Sequence, residues 1–389
     1  MRSPLSKKII EVQPSGIRKF FDVAAEMEDV ISLGVGEPDF DTPWRIREEG
    51  IFSLEKGRTF YTSNAGLTEL RDEICNYLER KIHVRYDSRK ETMVTVGGSE
   101  AIDVALRCML DPGDEVLIPQ PSYVSYLPCT IMADGVPVIV ELKAENEFKL
   151  TVKDMEAVVT DKTKILVLPF PNNPTGSIMT REDLEPVAKF VEEHDLYVIS
   201  DEIYSELSYK GEHVSIAGLP GMRERTIVIN GFSKGFAMTG WRLGYCCGPH
   251  EILEQMIKLH QFAIMCAPTT SQYAAVEGLK NCGEEVEEMR KAYNQRRRFL
   301  LHEFARMGLE CFEPFGAFYV FPSIQEFGMT SEEFAERLLM EEKVAVVPGT
   351  AFGECGEGFL RISYAYSLED LKKALGRLGN FIQRLRNER

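Results

Sequence analysis

The sequence predicts an α/β fold in which parallel strands joined by crossover helices form a large lobe and a second, smaller lobe follows. Three observations predict it. At 389 residues the chain is too long for one small core. From about Met93 onward, short apolar runs alternate with amphipathic stretches, the texture of strands linked by helices. After about Glu284 the texture changes to a long charged segment and then to further apolar runs, as a separate lobe would require.

The elements follow in order. The runs 93–96, 116–118, 165–168, 197–199 and 226–229 read as strands. Between the third and fourth, Thr180 with Asp183 makes a helix cap, and Leu184, Val187, Ala188 and Val191 follow at helical spacing, so this segment is a crossover helix. The charged stretch after Glu284 continues as one long helix through Arg290 and Arg298, and 318–321 and 359–364 are strands of the second lobe. No repeat period or low-complexity linker separates the lobes, so structured segments must join them.

Composition narrows the function. With 44% hydrophobic and 27% charged residues, the chain has the make-up of a soluble globular protein. Its formal charge of -16 repels nucleic acid and anionic membranes, so an anionic ligand needs a local cluster of Lys and Arg. The start, MRSPLSKKII, is basic but lacks the apolar run of about 7 to 15 residues that export requires. Nor is there an apolar stretch of about 18 residues to span a membrane, and a cytoplasmic protein is expected. Nine scattered cysteines lack a C-x-x-C, and Cys246 and Cys247 are adjacent, a poor disulfide geometry, so reduced thiols are expected. The six histidines show no H-E-x-x-H spacing, and no catalytic metal is expected.

Four segments carry residue types suited to chemistry. In GFSKGFAMTGWRLGY, 231–245, Lys234 and Arg242 sit among small and aromatic residues after a buried strand. A lysine that forms a Schiff base must lose its proton near neutral pH, which burial or a nearby cation achieves. The planar fork of Arg242 suits a phosphate. Viewed alone, the pair fits a surface loop equally well. In YVISDEIYSEL, Asp201 falls at the carboxyl end of a strand, where open α/β sheets bind ligands. A protonated pyridine nitrogen would be a fitting partner, and Tyr204 could donate to a ring oxygen. A helix-capping Asp beside a core tyrosine is the competing reading. In VTVGGSEAIDVAL a double glycine precedes Ser99 and Glu100 at a helix start, exposing backbone N–H groups to an anion, a weak signal by itself. In PFPNNPTG, 169–176, Asn173 is expected to end a strand before a proline-fixed loop.

Taken together and in this order, GVGEPDFDTP, YTSNAG, GGSEA, NNPTG, SDEIY and SKGFAMTGWRLGY resemble the class I/II aminotransferases of the fold type I pyridoxal-phosphate enzymes. The likeness covers nearly the whole chain. SGIRKF and GAFYVFPSI add similarity to the bacterial N-acetyl-diaminopimelate, aromatic and aspartate aminotransferases. The resemblance implies a three-layer sandwich with a mostly parallel central sheet as the cofactor domain, 48–285, a smaller α+β domain from 15–47 and 286–389, and an N-terminal arm, 1–14. It implies pyridoxal 5'-phosphate linked to Lys234, with Asp201 on the ring nitrogen, Tyr204 and Asn173 on the ring oxygen, and Tyr123 stacked on the ring. Phosphate would be held by backbone groups of Gly98, Ser99 and Glu100, by Ser233 and Arg242, and by Tyr61 from the second subunit of a homodimer. Arg361 would clamp the substrate carboxylate with help from the Gly36 backbone and Asn173, and Ile17 and Phe352 would wall the pocket.

The implied reaction moves an amino group from an L-amino acid to 2-oxoglutarate by ping-pong kinetics. Ser99 stands where one group of the family's aspartate enzymes carries a lysine, which weakens an aspartate reading. A β-eliminating C–S lyase and a noncatalytic regulatory module share the fold. The AMTGWRLGY continuation speaks against the first, and the lack of a DNA-binding segment or basic patch against the second.

Overall fold

The computed structural model describes residues 2–14 and 27–388. The first strand, β1 (Ile31–Ser32), pairs in parallel with β10 (Val344–Ala345), so residues near the start of the chain join the lobe built by its end. The main sheet contains β2 (Thr92–Thr95), β3 (Glu115–Gln120), β4 (Val136–Glu141), β5 (Thr163–Leu168), β6 (Tyr197–Asp201), β7 (Thr226–Gly231) and β8 (Gly244–Cys247). Their order is β2-β8-β7-β6-β5-β3-β4. Strand β8 runs antiparallel to both neighbours, while every other adjacent pair in this sheet is parallel.

All five apolar runs expected as large-lobe strands lie in this sheet; β4 and β8 are additional. Strand β4, VPVIVE, is a half-buried edge with a proline, which blurs the apolar pattern. Strand β8, GYCC, contains glycine and two cysteines rather than strong strand formers.

The period of two sorts the strand side chains onto two faces. Val116, Ile118, Ile165, Val167, Ile199 and Ile227 pack with Ile102, Leu106, Leu253 and Met256 from helices Gly97–Met109 and His250–Ala263. On the other face Leu117, Leu166, Leu168 and Val198 pack with Leu184, Val187 and Val191 of helix Arg181–Glu193. Helices therefore cover both faces, giving three layers, and the strands read as continuous apolar runs because neither face meets water. Thr180 and Asp183 form the expected reciprocal capping box at the start of Arg181–Glu193.

The long charged helix is Gly283–Met307. It packs with helix Leu368–Asn387, and a small antiparallel sheet follows it: β9 (Tyr319–Val320), β11 (Val347–Pro348) and β12 (Leu360–Ser363), in the order β11-β12-β9. One continuous apolar cluster runs from Val94, Val228 and Tyr245 of the main sheet through Phe318 to Val320 and Ile362 of the small sheet. The lobes thus share a core. All nine cysteines are free. Among the described residues no group of His, Cys, Asp or Glu is arranged to hold a metal, and no helix is long and apolar enough to cross a membrane.

Candidate active site

A cavity of about 350 Å³ opens where the carboxyl ends of the parallel strands meet the small sheet, the edge at which α/β sheets bind ligands. Asp201, the last residue of β6, reaches it from the sheet, and Lys234 enters from the segment between β7 and β8. Arg361 arrives from β12. Gly98 and Ser99 open helix Gly97–Met109, and Gly36 lies beyond β1.

Lys234 Nζ donates to the Gly36 carbonyl oxygen at 2.6 Å. Burial pulls its pKa down to about 8; Glu37 opposes that fall, and Arg361 and Arg242 reinforce it. The carboxylate of Glu37 is itself engaged by the Thr239 hydroxyl.

Asp201 is buried, and burial raises its pKa. The Tyr126 hydroxyl donates to Oδ2 at 2.7 Å and the Ile203 N–H to Oδ1 at 3.2 Å, both favouring the charged form. Among the described residues no basic side chain forms an ion pair with it. A buried carboxylate without an ion-pair partner is costly, so its chemistry suits a cationic ligand atom.

The Arg361 guanidinium lies between the Tyr319 ring, at 4.6 Å, and the Phe352 ring, at 4.7 Å. Its Nη1 donates to Asn173 Oδ1 at 3.0 Å and its Nη2 to the Gly34 carbonyl. Nε is buried with no partner. An unpaired donor on a buried cation suits a carboxylate.

At the opposite end, helix Gly97–Met109 has no side-chain cap, so its first N–H groups are free to face an anion. Gly97 has φ +77, and a Cβ there would fall 2.6 Å from Arg242 Nη2. Only glycine permits both the backbone and the approach of the arginine. Arg242 itself has φ +52 and is held by its Nη1 bond to the Thr239 carbonyl at 3.0 Å, local strain of the kind found at ligand sites.

Of the residues singled out in the sequence, Gly36, Gly98, Ser99, Tyr123, Asn173, Asp201, Tyr204, Ser233, Lys234, Arg242 and Arg361 line this one cavity. Others do not. Asn173 does not end a strand: β5 stops at Leu168, because Pro169 has no N–H to continue the ladder, and Asn173 lies in the loop beyond. Phe352 is not a wall of the cavity but a support behind Arg361. The side chain of Glu100 turns away, accepting from the Val96 N–H and from His260 Nδ1 at 2.6 Å. Tyr61 lies outside the cavity and is 81% exposed. Ile17 and the SGIRKF stretch fall outside the described residues.

Sequence reasoning missed Tyr126 and Tyr319, which also line the cavity. Tyr126 opens a short helix, Tyr126–Met132, just after Tyr123, and its hydroxyl reaches Asp201 across the fold. Tyr319 sits opposite Ser363 in the β9–β12 pairing, and no local pattern reveals that.

Comparison with known proteins agrees with this geometry. The profile of the family Aminotransferase class I and II matches residues 28–378. An aspartate aminotransferase of Pyrococcus abyssi is 50% identical, the alignment covering 96% of this chain and 97% of that protein. The aromatic-amino-acid aminotransferase 2 of Thermococcus litoralis is 46% identical over the same shares. The crystal structure of an aromatic aminotransferase from Pyrococcus horikoshii superposes with a TM-score of 0.90 at 47% identity, covering 95% of this chain and 99% of that one. Fold, cavity and relatives agree, and the chain belongs to the class I and II aminotransferases, enzymes built on the fold type I scaffold.

Proposed function

We propose that this aminotransferase uses pyridoxal 5'-phosphate, held in the cavity by Lys234, Asp201 and Arg242, to move the amino group of an L-amino acid to 2-oxoglutarate in a ping-pong cycle. The observation that carries the reading is the joint presence, in one cavity, of a lysine with its pKa lowered to about 8 and a buried carboxylate that makes no ion pair among the described residues. At pH 7.5 roughly a quarter of Lys234 amines are neutral, against about one in a thousand at the ordinary 10.5.

The residues fit the cofactor. A protonated ring nitrogen supplies the cation that Asp201 lacks, and the free helix start with Ser233 and Arg242 suits its phosphate. Tyr123 offers an aromatic face, and Tyr204 and Asn173 offer donors for the ring oxygen; Asn173 Oδ1 is occupied by Arg361, which leaves its Nδ2 to donate. When bound, the cofactor supplies a reactive aldehyde and an electron-withdrawing ring. Asp201 keeps a proton on the ring nitrogen by balancing its charge. Arg361, with Asn173 beside it, would fix the substrate α-carboxylate. Lys234 Nζ would then take the proton from the substrate α-carbon and deliver it to the cofactor carbon to which it had been linked, a positioned transfer worth about 10² to 10⁴ in rate.

Lys234, Arg242 and Arg361 are the cations that line the cavity, and each already has a partner or role. No cation of this chain, among the described residues, remains there for a distal carboxylate, and Ser99, Ile102, Tyr123 and Tyr319 give a largely apolar wall. This favours an aromatic or acylated diamino acid, such as N-acetyl-diaminopimelate, over aspartate as donor, although relatives bear both aspartate and aromatic names. The distal carboxylate of 2-oxoglutarate would have to be met from outside this chain's own wall. Phe60, Tyr61 and Phe262 are each more than four-fifths exposed, large apolar side chains whose exposure supports a homodimer in which Tyr61 reaches the phosphate of its neighbour. We assign 48–285 as the cofactor domain and 15–47 with 286–389 as the smaller one.

Borohydride reduction of the cofactor-loaded protein followed by peptide mapping should put the adduct on Lys234; an adduct on another lysine refutes the assignment. For substrate, kcat/KM is compared across a panel. If aspartate exceeds phenylalanine, tyrosine and N-acetyl-diaminopimelate by more than about tenfold, roughly 1.4 kcal/mol in transition-state binding, the ranking is wrong.

A further inference from the structure

Tyr319, part of the cavity wall, also occupies a junction between the small sheet and the large lobe. In the antiparallel β9–β12 ladder it lies opposite Ser363, two residues from Arg361 along β12, so Tyr319 and Arg361 share a face of the small sheet. Its ring stacks on the Arg361 guanidinium at 4.6 Å, and its hydroxyl oxygen lies 2.8 Å from that of Tyr204, which comes from the large lobe. Both phenols are buried. One side chain therefore touches the carboxylate clamp with its ring and a proposed cofactor ligand with its tip.

The two hydroxyls carry two protons and make one hydrogen bond between them; among the described residues neither has another partner. One proton bridges the pair and the other leaves it. If Tyr204 were the donor, it would have no proton left for a ligand, and the Tyr319 hydroxyl, packed against Gly36 where a Cβ would collide with it, would turn its own proton to the cavity side instead. If Tyr319 is the donor, the Tyr204 proton is free to point into the cavity that Tyr204 lines. Burial raises the pKa of both phenols, so both protons stay in place at neutral pH. A bond received by Tyr204 also strengthens the bond it gives.

We propose that Tyr319 is a positioning residue: it donates to Tyr204, aims the Tyr204 proton at the cofactor's ring oxygen, and braces Arg361 with its ring. The inference rests on the cofactor reading and adds to it a physical link between the substrate clamp and the ring oxygen.

The test reconstitutes four proteins with pyridoxal 5'-phosphate: wild type, Tyr319→Phe, Tyr204→Phe and the double variant. The readout is the pH midpoint of the cofactor's visible absorption band. A donor at the ring oxygen favours the form in which that oxygen carries most negative charge, the deprotonated one, so weakening the donor moves the midpoint up. Tyr319→Phe should raise it by about 0.1 to 0.6 unit, the share of a charge-assisted hydrogen bond that the bond received by Tyr204 supplies. In the Tyr204→Phe background the same change should add nothing. Tyr319→Phe keeps the ring and should leave KM for the amino acid nearly unchanged, whereas Tyr319→Leu removes the brace and should raise KM about two- to thirtyfold. An unchanged midpoint in Tyr319→Phe, or an equal shift in the Tyr204→Phe background, overturns the relay alone. A wild-type protein without a pH-dependent band overturns the cofactor reading, and the relay with it.

Discussion

Replacing Lys234 by methionine should make the cofactor-free protein more stable at neutral pH and should confer almost none of that gain in strong alkali. The unfolded amine titrates near its ordinary 10.5 and the folded one at about 8. Between those values the folded state holds fewer protons than the unfolded state, so wild-type stability rises with pH across that window. Below pH 8 the lysine is charged in both states, and folding carries an ammonium into a site that disfavours it by about 2.5 pH units, or about 3.4 kcal/mol. Above 10.5 the amine is neutral in both states and that cost is absent. Methionine has similar length and no charge, and the bond a neutral amine makes to the Gly36 carbonyl is common to both pH values. The stability gain of Lys234→Met at pH 7 should therefore exceed that at pH 10.5 by about 3 kcal/mol. Urea unfolding of wild type and variant at the two pH values measures it, since the other titrating groups are shared and cancel. A gain equal at both, or larger in alkali, would refute the claim that the cavity strips water from the Lys234 ammonium.

Two further outcomes follow from the site and the surface. Tyr126→Phe removes the 2.7 Å bond to Asp201, a charge-assisted contact worth about 1.5–3 kcal/mol, so kcat/KM should fall by about tenfold to a hundredfold. Because the lost donor held the carboxylate in its charged form, the deficit should deepen as pH falls, and a pH-independent deficit would show that Tyr126 acts by packing alone. A Tyr61→Phe chain mixed with a Lys234→Ala chain should form a heterodimer with one doubly damaged site and one intact site, and half-site titration of the cofactor detects the intact one; its absence would mean that Tyr61 serves its own subunit.

The main sheet was largely legible because its strands are buried on both faces, which leaves runs such as 165–168 and 226–229 uniformly apolar. Strand β8 was not, because a hairpin return needs no crossover helix to announce it and GYCC lacks branched residues. In the cavity, Lys234, Asp201 and Arg361 were legible from residue type within motifs. Tyr126 and Tyr319 were not: their partners Asp201 and Tyr204 lie 75 and 115 residues away, and contacts over such distances leave no local pattern. Glu100 shows the converse. Its position in the helix start was legible, but its carboxylate would repel a phosphate, and the structure sends it to His260.

The antiparallel return from β7 to β8 has a consequence for how this enzyme can change. Where the sheet is connected in parallel, the chain leaves the cavity edge and travels back along a helix before re-entering, and that route can absorb an added residue at a distance. Residues 232–243 make no such journey. Both their ends are pinned in ladders at the same edge, and Ser233, Lys234, Thr239 and Arg242 all face inward from between them. Apart from the exposed turn at Gly240, an insertion here has little room but the cavity to fill. New substrate ranges are accordingly accessible through exchanges of side chain in this stretch and through changes of length elsewhere, in the loops that carry Asn173 and Tyr123.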